Sequence, residues 1–286
     1  MITSDPLSVI ETLPYDVDCD PRDRLLLAGI DDAGHAIESA DFPLSGDRPL
    51  DEAVLTITGW SRAATGVVAV AYTDRADLDV EPIRSATHAS GRSTAYLLRA
   101  GLHRWRDETC SAPRCCPRMG NRYPQSVPGH AEYRPLPERT GAPQRWRAAA
   151  WDNWQEAIRE AQFGQAPAGS RLAPLARALF DIPLRDAVLA QSARDDGFAR
   201  PAMRIVFSRM LTRSTLGTAI PAFTCAAALA YLDGETTAAH DAVNEVLAVD
   251  EYSLARLLRN GLEMRAPASL LARSFSHFDP VELLAA

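Results

Sequence analysis

Apolar and polar positions divide the chain into two parts with different periodicities. In the first part, two apolar runs at residues 24–30 and 67–73 have the length and composition of buried strands. Segments with helical spacing lie around them, at residues 5–13, 50–64 and 81–94. Strands interleaved with helices predict an α/β domain in which helices cover a mixed sheet.

Two hairpins are expected to complete that sheet. Residues 35–42 alternate weakly and follow a turn, so we expect them to pair back on the first strand. Residues 95–108 have the pattern of a second hairpin that turns at Ala100-Gly101. Pro14 is expected to end the first helix, because proline lacks the backbone N–H that a helix interior uses.

Only helical patterns follow residue 144. We predict helices at 144–163, 172–180, 184–195, 201–211, 215–232, 236–249 and 252–265, with a helical tail near 270. The chain is therefore interpreted as an α/β domain at 1–143 and an all-α domain at 144–286. Residues 234–267 have the spacing of one tetratricopeptide-like hairpin, but a single unit does not make a repeat array, so an ordinary bundle is favoured.

The segment that joins the two parts, residues 109–143, has no periodicity and contains seven prolines. Long irregular segments of this kind are either functional or linkers.

The basic residues are all arginine: the chain has 30 Arg and no Lys. Without lysine there is no Walker A phosphate loop, no Schiff-base chemistry, no serine–lysine hydrolase and no protein kinase pattern. No apolar run approaches the length of a membrane span. The first 13 residues carry acids and no basic cluster, so we expect no signal peptide and a cytoplasmic protein.

The net charge of −7 conceals two blocks of opposite sign. Residues 1–81 hold 17 acids and 5 Arg, whereas residues 99–147 hold 10 Arg and 4 acids. The two blocks either contact each other, within one chain or between chains, or are separately solvated faces. Nucleic acid is an unfavoured partner, because the domain is acidic outside the arginine-rich stretch.

Three cysteines close together are the sharpest candidate for chemistry. Cys110, Cys115 and Cys116 lie among arginines, which lower thiol pKa values, and His103 or His130 could complete a metal site. Zinc sites usually have two to four residues between cysteines, and adjacent cysteines rarely bind one metal. A redox-active thiol pair and buried structural thiols remain alternatives. No cofactor is expected, and zinc is the one left open.

Candidate interaction residues combine arginine with tryptophan, which can bind proteins or stack on bases. The apolar stripe of the helix at 144–163 is expected to dock the helical domain against the α/β domain; the alternative is an exposed face for a partner or a second copy. The candidate residues are Arg104, Trp105, Arg106, Arg114, Arg118, Arg122, Trp146, Trp151 and Trp154.

Four stretches resemble a known family. They are residues 13–27, with Leu13-Pro14-Tyr15 and an Asp-Pro-Arg-Asp step, the strand at 67–72, the Arg104-Trp105 to Gly120 cysteine segment, and residues 226–258. Over nearly its whole length, the chain resembles actinobacterial proteins grouped as domain of unknown function 4192. Residues 16–20 and Arg24 depart from the family pattern.

The resemblance implies an organisation but no reaction. We therefore expect a non-catalytic interaction or regulatory module that binds a protein partner or itself. The alternatives are an enzyme or metal site on the cysteine cluster, and a nucleic-acid-associated protein that uses residues 99–147.

Overall fold

The computed structural model describes residues 6–45, 50–102, 104–110, 121–122, 143–165, 167–194, 199–216 and 219–285. The chain divides into two compact units. The first consists of Met1–Pro124 together with Thr212–Thr218, and the second of Gln125–Leu211 and Ala219–Ala286. The predicted boundary after residue 143 follows residues 123–142, which lie outside the described residues, and it stays a prediction. The first unit includes a second segment of chain that the sequence pattern did not indicate.

Within the described residues, the first unit is built on one six-stranded mixed sheet. Its strands are β1 (Arg24–Ile30), β2 (Ala36–Pro43), β3 (Gly66–Tyr72), β4 (Ser93–Ala100), β5 (Arg104–Asp107) and β6 (Asn121–Arg122). Their order is β2-β1-β3-β4-β5-β6, and only β3 and β4 run parallel. The predicted α/β class and both predicted hairpins, β1–β2 and β4–β5, are confirmed.

Helices cover both faces of this sheet. Alternate residues of β1 point to opposite sides, so Leu25 and Leu27 join the core formed with α2 (Asp51–Gly59) and α3 (Glu81–Ala89). Leu26 on the other side joins the core formed with α1 (Pro6–Val17). Because β3 is covered on both faces, all seven of its residues are buried.

One arginine fixes the end of α2. The Arg92 guanidinium donates to the carbonyl oxygens of Ile57, Trp60, Ser61 and Ala64 at distances of 2.6–3.0 Å. These are carbonyls of the last helical turn and the loop behind it, which a helix leaves without partners. The planar fork of donors explains why arginine suits this position.

The expectation that Pro14 ends α1 is wrong, because the helix continues to Val17. Pro14 cannot donate to the carbonyl of Ile10, four residues earlier. The hydroxyl of Tyr72, at the end of β3, donates to that carbonyl instead, at 2.6 Å. The acceptor that proline leaves open is therefore satisfied from the sheet.

The segment Thr212–Thr218 is tied to α1 within the first unit. The buried hydroxyls of Tyr15 and Ser214 form a short hydrogen bond. Next to it, Arg213 pairs with Asp18. Burial raises the pKa of Tyr15 to about 12, so this phenol stays protonated over the physiological pH range.

The described part of the second unit is helical, which confirms the predicted all-α second half. Its helices are α4 (Pro143–Gln162), α5 (Gly169–Ala178), α6 (Ile182–Arg194), α7 (Ala199–Leu211), α8 (Ile220–Leu232), α9 (Thr236–Val249), α10 (Ser253–Glu263), α11 (Ala268–Ser276) and α12 (Pro280–Ala285). Helix α8 is the most buried of α8–α12, and α9 packs between α8 and α10. No helix in the described residues is long and apolar enough to cross a membrane.

The role of Tyr72 at Pro14 can be tested with a double-mutant cycle. Tyr72→Phe should lower the free energy of unfolding by about 1–2 kcal/mol, because the Ile10 carbonyl loses its buried donor. In a Pro14→Ala background, the restored N–H can reach the same carbonyl, so Tyr72→Phe should cost clearly less. Urea denaturation of the four proteins gives the comparison. Equal losses in both backgrounds would contradict the assignment.

Candidate functional site

Only one member of the predicted cysteine cluster lies in the described residues. Cys110 is half-buried just after β5, and its backbone N–H donates to Asp107 at 3.3 Å. Cys115, Cys116, His103 and His130 lie outside the described residues. Among the residues that the structure describes, no three His, Cys, Asp or Glu side chains are grouped to hold a metal. The metal and redox roles of the cluster therefore stay predictions.

The arginines of β4 and β5 are engaged within the first unit. Arg99 lies 3.0 Å and Arg106 3.6 Å from the largely buried carboxylate of Glu108. Trp105 packs partly against the core on the α1 side, and Arg104 is half-buried. Of the other arginines predicted to interact, Arg114, Arg118 and the side chain of Arg122 lie outside the described residues.

The tryptophans of α4 have different surroundings. Trp154 is fully buried, and its ring centroid lies 5.3 Å from that of Phe207 in α7. Its contact area is therefore used inside the second unit, where a partner cannot reach it. Trp146 and Trp151 are half-buried. The indole N–H of Trp154 has no hydrogen-bond partner among the described residues.

Two further thiols are poor nucleophiles and poor metal ligands. Burial raises the pKa of Cys225 to about 12 and that of half-buried Cys19 to about 11. Because the thiolate is the reactive form, both are protonated and inert near neutral pH.

Beside Cys225, the buried Arg185 donates to the Tyr252 hydroxyl at 2.6 Å and pairs with Asp186 at 2.7 Å. Burial also raises the pKa of Tyr252 to about 12. This buried charge is thus paired and hydrogen-bonded, as a structural role requires.

An open groove of about 510 Å³ lies between the end of α8, the start of α9 and the turn after α10. Its lining includes one arginine, one histidine and two threonines, and no carboxylate. The lining residues are Tyr231, Thr236, Thr237, His240, Leu262, Arg265 and Ala266. No sequence motif marks this groove, because its members are ordinary residues up to 35 positions apart that only the packing of α8–α10 brings together.

Arg265 occupies an unusual backbone position in that groove. Its N–H donates to Leu262, and the Ala266 N–H donates to Gly261, the two bonds of a Schellman motif that ends α10. The motif places Arg265 at φ 52°, a conformation that favours glycine. The other non-glycine residues with positive φ in the described chain are Asp18 and Asp23, and aspartate tolerates it better than arginine.

Neighbouring hydrogen bonds set the turn and the histidine. The Tyr231 hydroxyl donates to the Ala266 carbonyl at 2.5 Å. His240 Nδ1 lies 2.9 Å from the side-chain amide nitrogen of Asn244. Because an amide nitrogen only donates, Nδ1 is the acceptor, and the neutral ring carries its proton on Nε2.

The two acids that precede α9, Asp233 and Glu235, are paired with arginines. Arg204 makes bonds of 2.8 and 2.9 Å to the two oxygens of Glu235, and these hydrogen bonds lower the pKa of that carboxyl. Arg204 and Arg200 both pair with Asp233, at 2.8 and 3.3 Å. In contrast, no carboxylate in the described chain lies within ion-pair distance of Arg265. The groove is thus locally rich in donors and positive charge.

Comparison with known families places this groove inside a matched segment. The profile of the domain of unknown function DUF4192 matches residues 128–268. Over this segment, the chain belongs to the DUF4192 family. Of the four stretches that carry the resemblance, only residues 226–258 lie inside the match, and the cysteine cluster precedes it. No curated protein and no solved structure matches the chain.

The environment of Trp154 predicts a difference between two substitutions. Trp154→Ala should lower the free energy of unfolding by about 3–5 kcal/mol, because it leaves a cavity against Phe207. Trp154→Phe should cost far less, since it keeps the ring contact and removes a buried donor without a partner. Thermal denaturation compares the two, and a phenylalanine variant as unstable as the alanine variant would contradict this account.

The raised thiol pKa of Cys225 predicts instability in alkali. The unfolded thiol ionises near its ordinary pKa of 9.0, whereas the folded one ionises at about 12. Its contribution to stability is therefore complete below pH 9 and declines as the pH rises towards 12. Between about pH 8 and about pH 10.5, Cys225→Ala should lose roughly 1–2 kcal/mol less stability than the parent. Urea denaturation at both pH values measures this, and identical pH dependence would refute it.

Proposed function

We propose that the DUF4192 segment, with the helices that follow it, is a non-catalytic protein-interaction module. Large apolar side chains that are exposed to solvent support this proposal. Ten such side chains are exposed in the described residues, and five of them lie between positions 257 and 281. These five, which we call the C-terminal apolar set, are Leu257, Met264, Leu270, Phe278 and Val281.

The helices that carry this set are incompletely covered. Helix α11 has no buried residue, although it packs against α6, and α12 has one. On α10, Leu257 and Met264 are seven residues apart and therefore lie on one face. They are 67% and 75% exposed, whereas Leu254 and Leu258, on the neighbouring side of α10, are buried. An exposed apolar pair on one face of α10 is the part of this set that a partner could cover.

The charge around these helices indicates the chemistry of the partner. Over α10–α12, residues 253–285, the chain has four arginines and three acids, which leaves a small positive excess. A second copy would bring the same positive charge to a symmetric interface, because such an interface pairs a surface with itself. An acidic segment of another protein, with apolar residues among its carboxylates, complements both features. We therefore assign the surface to an acidic, apolar segment of a partner protein.

A random peptide library displayed on phage tests this assignment. Selection on the parent protein should enrich peptides that combine Glu or Asp with large apolar residues. The variant Leu257→Ser/Met264→Ser should bind the enriched peptides at least about tenfold more weakly, because the apolar contacts are removed. Since both side chains are exposed, the variant should fold as the parent does.

The matched control is Leu55→Ser, which removes an equally exposed leucine of α2 in the first unit, 71% exposed. It should leave peptide binding unchanged. Enriched peptides without acidic residues, or peptides that bind all three proteins equally, would contradict the proposal. Light scattering adds a second check: a dimer of the parent that Leu257→Ser/Met264→Ser dissociates would assign the surface to self-association instead.

A further inference from the structure

We propose that the groove between α8, α9 and the turn after α10 binds a carboxylate of the partner segment, with Arg265 and His240 as its ligands. This inference rests on the proposed function and names the chemical group that the partner supplies. Arg265 directly follows Met264 of the C-terminal apolar set. A segment lying on Leu257 and Met264 therefore passes beside the groove.

The groups that line the groove are those that an oxyanion requires. The Arg265 guanidinium has no carboxylate partner among the described residues and can offer paired N–H donors to one. Because Nδ1 of His240 accepts from Asn244, its Nε2–H is left as a donor. The hydroxyls of Thr236 and Thr237 make no hydrogen bond within the described chain.

Two neighbouring acids are already paired with other arginines. Glu235 and Asp233, which precede α9, are held by Arg204 and Arg200. Neither acid is therefore available to occupy Arg265, and neither repels an incoming carboxylate strongly. Arg204 donates to Asp233 and Glu235, whereas Arg265 has no carboxylate partner among the described residues.

The backbone gives an independent reason to look for a side-chain function at position 265. A Schellman motif favours glycine where Arg265 stands, and strained residues cluster at functional sites. If only the turn mattered, glycine would suit it better. The variant Arg265→Gly should thus fold at least as stably as the parent while losing the guanidinium.

The test uses small probes, because the partner is unidentified. Selective ¹⁵N-histidine labelling makes the six histidines visible by NMR, and the His240→Gln variant identifies the signal of His240. N-acetyl-leucyl-glutamate amide should shift that signal in a saturable way, and the matching glutamine amide should not. Arg265→Gly should weaken the binding at least about tenfold, the effect expected when a charged hydrogen bond is lost. Its melting temperature should equal or exceed that of the parent.

Arg256→Gln is the matched control, because Arg256 also lies on α10 but is absent from the groove lining and lies 3.9 Å from Glu251. It should bind the glutamate probe as the parent does. Equal shifts with the glutamate and glutamine probes would overturn the proposal. Inorganic phosphate that binds more tightly than the glutamate probe would also overturn it, in favour of a phosphorylated ligand.

The two proposals can fail separately. If the glutamate probe binds at His240 but the library yields no acidic peptide, the groove is an anion site and the proposed function is wrong. If selected peptides depend on Leu257 and Met264 but bind Arg265→Gly as tightly as the parent, the interaction surface stands and the groove is not part of it.

Discussion

A polar group that leaves water needs a hydrogen-bond partner inside the protein, and at four points of this chain a buried tyrosine hydroxyl meets that requirement. Tyr72 donates to the α1 carbonyl that Pro14 cannot reach, and Tyr231 donates to the turn after α10 that borders the groove. Tyr252 accepts a hydrogen bond from the buried Arg185 guanidinium, and Tyr15 forms one with Ser214. The four residues are Tyr15, Tyr72, Tyr231 and Tyr252. Tyr72 joins β3 to α1, and the other three each join a helix to a loop or turn outside it.

The local pattern of apolar and polar residues predicted most helices and strands. It failed where a residue distant in sequence determines the structure. Strand β3 and helix α9 were predicted closely, because their apolar positions follow the period of one element. The predicted end of α1 at Pro14 was wrong, because the Ile10 carbonyl receives its hydrogen bond from Tyr72, 62 positions away. The groove could not be found, since nothing in the sequence shows that His240 and Arg265 line one cavity.

The absence of lysine gives the arginines two different roles. Arg92 and Arg99 hold backbone carbonyls, and Arg185 is buried against Tyr252. Such guanidiniums organise the protein and contribute little charge to a ligand. In the described part of the block at 99–147, Arg99 and Arg106 lie beside Glu108, whereas Arg265, isolated in sequence from that block, keeps its donors available.

The discontinuity of the first unit bears on how the protein forms during synthesis. A chain that has emerged only as far as Pro124 contains every described strand, but it lacks the Ser214 and Arg213 side chains that pair with Tyr15 and Asp18. These contacts become possible only after α7 has left the ribosome, because domains fold as their residues appear. The first unit is therefore complete only once the segment Thr212–Thr218 has also been synthesised. A fragment cut at Pro124 would lack the Ser214 partner of Tyr15 and the Arg213 partner of Asp18 permanently.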